Sequence, residues 1–122
     1  MFGIGIDICN VKRFDRLKEK EGFLHKVFSD DEIGYCISKK NSSECFAARF
    51  AAKEAFLKAL GTGLRGGVHF KEVVITNGDL GEPGIRLEGR TKTTFETMGL
   101  SKILVSMSHE RDSAVAVVMI EK

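Results

Sequence analysis

A chain of 122 residues has room for one domain and buries about two-thirds of its unfolded surface, enough to fold without a metal or disulfide scaffold. Its apolar fraction of 43% and charged fraction of 30% argue against collagen-like, long disordered and membrane-embedded classes. The formal charge of +2 has no basic or acidic tail behind it, so bulk electrostatics nominates neither nucleic acid nor membrane as a partner.

Phe2, Ile4, Ile6 and Ile8 alternate with Gly3, Gly5 and Asp7, the period of a strand with one buried face. That reading puts the isoleucines inside and leaves Asp7 on a face that the glycines keep bare. Asn10 is placed to cap a helix over 11–20, with Arg13, Arg16, Leu17 and Lys20 on one side. Gly22 interrupts, and Phe23 to Phe28 form a short apolar helical turn. Ser29-Asp30-Asp31-Glu32 then reads as a capping box opening a helix to about Ser38. Lys39 to Ser42 form a loop.

The clearest element is a long alanine-rich helix from about Ser43 to Leu60, closed by Gly61. Phe46, Phe50, Leu57 and Leu60 make its apolar stripe, with Ala47, Ala51, Glu54 and Lys58 along the border. A glycine-rich loop over 61–67 follows. Val73 to Ile75 and Ile85 to Leu87 read as strands joined through Asn77-Gly78-Asp79 and Gly81-Glu82-Pro83-Gly84. Residues 90–98 are helical, stopped by Gly99. Ile103, Val105 and Met107 alternate toward His109, and a short turn returns the chain as a strand from Ala114 to Ile120, an antiparallel hairpin. One strand, then helices, then mostly strands indicates an α+β class with a single domain over 1–122.

Three cysteines, Cys9, Cys36 and Cys45, make an odd number without zinc spacing, so reduced, packed thiols in a cytoplasmic protein are expected. No run of roughly 20 apolar residues spans a membrane, and no basic region precedes an apolar stretch at the N-terminus as in a signal peptide.

Gly61-x-Gly63-x-x-Gly66 satisfies a dinucleotide-binding pattern literally, but a helix precedes it where that motif requires a strand. The match is rejected. Spacing alone leaves the remaining polar residues open. Glu54 and Lys58, one turn apart, read as an exposed helix pair, Asp7 as a solvated carboxylate and His109 as a turn histidine, each also compatible with a site.

Taken together, the blocks resemble a known family. Gly3-Ile4-Gly5-Ile6-Asp7-Ile8 followed by Arg13-Phe14 is similar to the opening of the bacterial holo-acyl-carrier-protein synthases, the small 4′-phosphopantetheinyl transferases. Phe46-Ala47-Ala48-Arg49-Phe50-Ala51-Ala52-Lys53-Glu54-Ala55-Phe56-Leu57-Lys58-Ala59-Leu60-Gly61-Thr62-Gly63 resembles the family's second signature almost without interruption. Gly81-Glu82-Pro83 and Ser106-Met107-Ser108-His109 match later blocks in the same order.

The resemblance implies an antiparallel sheet packed against the long central helix. It also implies a homotrimer with coenzyme A bound in clefts between subunits. The implied reaction moves the phosphopantetheine of coenzyme A onto a serine of apo-acyl carrier protein, in support of fatty acid biosynthesis, and releases adenosine 3′,5′-bisphosphate. Asp7 and Glu54 are implied ligands of magnesium, which needs few carboxylates because it keeps several waters. Lys58 is implied to face the diphosphate, and Glu54 to serve as base for the serine. Arg49, Gly61, Pro83 and His109 are implied contacts of coenzyme A. Arg13, Arg16, Leu17 and Lys20 would meet an acidic carrier protein.

Overall fold

The strand expected at the N-terminus forms, but with the opposite face inward. In the computed structural model, which describes all 122 residues, β1 runs over Gly3–Asn10, followed by α1 (Arg13–Leu17), α2 (Glu21–Val27), α3 (Asp30–Ile37) and α4 (Ser42–Leu60). The second half holds β2 (Val73–Asn77), β3 (Pro83–Leu87), α5 (Gly89–Thr97), β4 (Lys102–His109) and β5 (Ser113–Glu121). β1, β5 and β4 form one antiparallel sheet in that order, and β2 and β3 a separate antiparallel pair. Gly3 pairs with Ile120 and Asn10 with Ser113; in the terminal hairpin Lys102 pairs with Glu121 and His109 with Ala114.

The glycine face of β1 lies against α4. A Cβ on Gly3 or Gly5 would be driven into the carbonyl oxygens of Ala59 and Ala55 respectively. No side chain fits between the two backbones, so the isoleucines are displaced to the other face, where Ile4, Ile6 and Ile8 are 59%, 61% and 68% exposed. This corrects the expectation that they are buried. β5 completes the inner face with Ala114, Ala116, Val118 and Ile120, all fully buried.

α4 is central rather than amphipathic. Its buried residues include Phe46, Ala47, Ala51, Ala52, Ala55, Phe56 and Ala59, and they face all around the axis instead of along one stripe. Gly61 ends it with φ of 85°, a left-handed conformation that glycine adopts freely, and its N–H donates to the Leu57 carbonyl. A second apolar cluster stacks Phe14 of α1 against Phe23, Phe28, Phe46 and Phe50, with ring centroids 5.8–6.3 Å from Phe14.

The capping box is present and does more than cap. Ser29 Oγ accepts from the Glu32 N–H at 3.2 Å, and Glu32 Oε1 accepts from the Ser29 N–H at 2.9 Å. The same carboxylate accepts from Lys53 Nζ at 2.8 Å and, through Oε2, from the Ile75 N–H at 3.0 Å. Lys53 spends its other protons on the carbonyls of Phe70 and Val73. Burial pulls the Lys53 ammonium down to about 8 against the attraction of Glu32. This saturated pair ties α3, α4 and β2 together.

Two further expectations are corrected. The helix over 11–20 is only Arg13–Leu17, because the chain becomes extended at Lys20, which precedes α2; Gly22 lies inside α2 rather than breaking it. Asn10 still steadies the entry, its Oδ1 accepting from the Lys12 N–H at 2.9 Å. The three thiols are not all free. The α3–α4 turn brings Cys36 and Cys45 together as a disulfide with Cα atoms 5.4 Å apart, leaving Cys9 free and buried. Nothing in a nine-residue spacing announces that pairing; it follows from the antiparallel return of α4 along α3.

Two tests follow from this packing. Gly5→Ala forces α4 away from β1 and lowers stability by at least about 1–3 kcal/mol, whereas Gly22→Ala, whose Cβ meets open space on a helix, raises it by up to about 1 kcal/mol; urea unfolding measures both. Alkylation of the denatured, unreduced protein labels Cys9 alone, and labels three cysteines after reduction; three labels without reduction would contradict the pairing.

Candidate functional site

The close approach of β1 and α4 places three charged side chains where the strand's glycine face runs out. Asp7, two residues after Gly5, has its side chain 19% exposed and accepts from Lys58 Nζ at 3.0 Å. Lys58 also donates to the Ile6 carbonyl at 3.0 Å, so its partners are on β1 and not Glu54, its neighbour one turn back. Glu54 is half-buried beside them. Burial pushes its carboxyl above the usual range and the negative charge of Asp7 pushes the same way, while Lys58 and Arg13 pull it down. The helix thus presents two mutually repelling carboxylates and one ammonium on a single patch.

A cavity of about 500 Å³ opens beside this patch, lined by Glu54, Leu57, Lys58, Gly61, Leu64 and Phe70. A second cavity, of about 520 Å³, lies further toward the start of α4 and is lined among others by Arg49, Pro83 and His109. The family resemblance grouped Gly61 with these three as coenzyme A contacts; in the structure Gly61 lines the cavity beside Glu54 and Lys58. Arg49, Pro83 and His109 come from α4, β3 and β4, and only folding brings them together.

Arg13 and Arg16 are exposed on α1, and Arg13 lies with its guanidinium carbon 5.8 Å from the centre of the Phe50 ring. Leu17 is half-buried against the core. Lys20 is exposed but belongs to the turn before α2, so the expected row of basic residues is broken after Arg16.

No group of three or more His, Cys, Asp or Glu side chains could enclose a metal ion. Asp7 and Glu54 are the carboxylates on this patch that could donate oxygens to a hard cation that keeps its waters. The residues that sequence reasoning passed over are Tyr35, Lys40 and Asn77, all lining the Arg49 cavity. Lys40 and Asn77 lie in stretches whose composition spells only loop and turn. Tyr35, as a lone aromatic on a short helix, reads as core.

Comparison with known proteins identifies the family of the chain. The family model for the 4′-phosphopantetheinyl transferase superfamily matches residues 3–118. The chain is 47% identical over 124 residues to a holo-[acyl-carrier-protein] synthase of Geotalea daltonii, covering 100% of this chain and 99% of that protein. It is 44% identical to a protein of the same name from Geobacter metallireducens, with 100% and 98% covered. Among solved structures, the holo-[acyl-carrier-protein] synthase of Neisseria meningitidis superposes with a TM-score of 0.92 at 36% identity, covering 100% of this chain and 99% of that one. The Helicobacter pylori synthase in complex with coenzyme A gives 0.84 at 32% identity, with 97% and 99% covered. Full-length matches to family, relatives and folds therefore converge: the chain belongs to the 4′-phosphopantetheinyl transferase superfamily, among its small holo-acyl-carrier-protein synthases.

Proposed function

We propose that this chain, working as one domain, transfers 4′-phosphopantetheine from coenzyme A to a serine hydroxyl of apo-acyl carrier protein. The products are holo-acyl carrier protein and adenosine 3′,5′-bisphosphate, and the reaction serves fatty acid biosynthesis. The observation that carries this reading is the Asp7–Lys58–Glu54 patch beside an open cavity, on a chain whose full-length relatives are named for this activity. A solved relative that superposes along nearly its whole length holds coenzyme A.

Phosphoryl transfer asks mainly for positioning and charge stabilisation. Asp7 and Glu54 would hold magnesium, which supplies neutralisation of the diphosphate oxygens. Lys58, fixed on Asp7 and the Ile6 carbonyl, presents an ammonium to the diphosphate. As serine bonds to the pantetheine-side phosphorus and the P–O–P bond breaks, it offsets charge developing on the phosphate that leaves with the adenosine, or delivers a proton to it. Glu54 accepts the proton of the attacking serine, directly or through a water. Arg49 and His109 contact coenzyme A phosphates, with Pro83 shaping the cavity wall and Gly61 shaping the mouth beside Glu54. Arg13 and Arg16, with Leu17 and Lys20 beside them, receive an acidic carrier at the edge nearest Phe50.

The assembly proposed is a homotrimer. Its support is the outer face of the β1-β5-β4 sheet, where Ile4, Ile6 and Ile8 stand exposed opposite Met119, Val117 and Val115. Leu104 of β4, 43% exposed, extends the same surface. An apolar area of this kind on one sheet face is what a second copy of the chain would cover. The cytoplasm is the proposed place of work; no helix is long and apolar enough to cross a membrane.

Incubation with apo-carrier, coenzyme A and magnesium should add the mass of one phosphopantetheine to the carrier. The Glu54→Ala variant should remain folded and lose turnover by at least about 100-fold, the scale of one lost acid–base group. Absence of the mass gain on every carrier tried, with folded enzyme, would sink the transferase reading. Ile6→Glu should convert a trimer of the 13.5 kDa chain to monomer in sedimentation equilibrium, and wild-type protein that sediments as a monomer would exclude the trimer.

A further inference from the structure

Arg49 is a buried cation with no carboxylate in contact. It is 4% exposed, and it takes part in none of the ion pairs of the fold. Its direct contacts are all neutral, and the carboxylate whose charge reaches it, Glu32, is paired with Lys53. Nη2 donates to Asn77 Oδ1 at 2.6 Å, Nη1 to Cys45 Sγ at 3.7 Å, and the Tyr35 ring lies 4.4 Å from the guanidinium carbon; Nε has no partner. Burial accordingly lowers its proton affinity from the usual arginine value. Four residues along the same helix, Lys53 is treated in the opposite way, with Glu32 against it at 2.8 Å. A charge withdrawn from water and left without a carboxylate in contact retains its attraction for an anion arriving from outside.

Asn77 is the strongest of these contacts and also reaches the other wall of the cavity. Its Nδ2 donates to the Gly81 carbonyl at 3.2 Å, and Gly81 and Pro83 line the same 520 Å³ space as Arg49. The turn is closed by Gly81 N–H to Gly78 at 2.9 Å and Gly78 N–H to Glu82 at 2.8 Å. One side-chain amide thus spans α4 and the β2–β3 turn, with its oxygen on the arginine and its nitrogen on the turn. Aspartate would keep the acceptor, lose the donor and cancel the arginine's charge. Alanine would lose both contacts.

We propose that Asn77 is a positioning residue for the coenzyme A phosphate site. It holds the Arg49 guanidinium and the Gly81 corner of the cavity in one register, through an acceptor whose neutrality leaves the arginine free to bind phosphate. This rests on the transferase reading above and assigns a role within its nucleotide site. Asn77 sits exposed at the end of β2, so replacing it does not open the core.

The test is calorimetric binding of coenzyme A to the full chain, with steady-state kinetics on both substrates. Asn77→Ala should weaken coenzyme A about tenfold, the scale of one hydrogen bond to a charged group, while kcat and the KM for carrier change less than about twofold. Asn77→Asp should weaken coenzyme A at least as much, although it retains the acceptor. Arg49→Ala combined with Asn77→Ala should bind no more weakly than Arg49→Ala alone. Asn77→Asp binding coenzyme A as tightly as wild type would overturn the proposal. So would losses that multiply in the double variant, or a common rise in KM for both substrates with a fall in Tm, the mark of a purely structural residue. If Arg49→Ala itself leaves coenzyme A affinity intact, the phosphate assignment falls and Asn77's role with it. If Arg49→Ala weakens binding and the Asn77 variants do not, only the proposal for Asn77 fails.

Discussion

Everything at the candidate active site depends on one backbone contact, that of Gly3 and Gly5 in β1 with Ala55 and Ala59 in α4. Helix and strand can approach this closely only where one partner has no side chain and the other has a methyl group. The residues that come next along each element are then forced into the same neighbourhood. Asp7 follows Gly5 by two positions and so points from the same strand face. Glu54 and Lys58 flank Ala55 and Ala59 on the helix. Ion-pair distance between Asp7 and Lys58 is thus a consequence of packing that was settled by alanine and glycine.

The same contact explains the unusual outer surface. A strand with glycine on its helix-facing side has only its other side on which to carry apolar bulk, and there Ile4, Ile6 and Ile8 stand in register with Met119, Val117 and Val115 of β5. In a larger protein such a face would be covered by a second layer of the same chain. Here the helices lie on the inner side or around α4, and the isoleucine face stands exposed. The exposed isoleucine face and the bare glycine face are two expressions of one arrangement.

Much of this was legible in the sequence, and the failures are instructive. The period-2 alternation of β1 specified a strand correctly but not which face it buries. Hydrophobicity favoured the isoleucines, and the close fit of a helix onto bare backbone overruled it. The capping box at Ser29 and the glycine stop at Gly61 were readable because capping is a local interaction between residues three or four apart. The pairing of Cys36 with Cys45 was not, since it depends on how two helices return past each other. Arg49, Pro83 and His109 could be grouped only through family resemblance, because α4, β3 and β4 are brought together by the tertiary fold. Asn77 stayed hidden for a further reason: Asn-Gly is so strong a turn signal that it masks any second use of the side chain.

The treatment of charge along α4 separates structural from functional residues more sharply than burial does. Lys53 and Arg49 are both withdrawn from solvent on the same helix. Lys53 has each of its protons matched, one by a carboxylate that also caps α3, and nothing arriving from outside can compete for it. Its work is to join α3, β2 and the helix. Arg49 carries the same formal charge but touches only an amide oxygen, a sulfur and an aromatic face, with Glu32 acting on it while paired to Lys53. A fold selected for stability alone would supply a carboxylate there or remove the charge, because an uncompensated buried cation weakens the native state. Arg49 is held in position with no carboxylate in contact, which is what the proposed phosphate site requires of it.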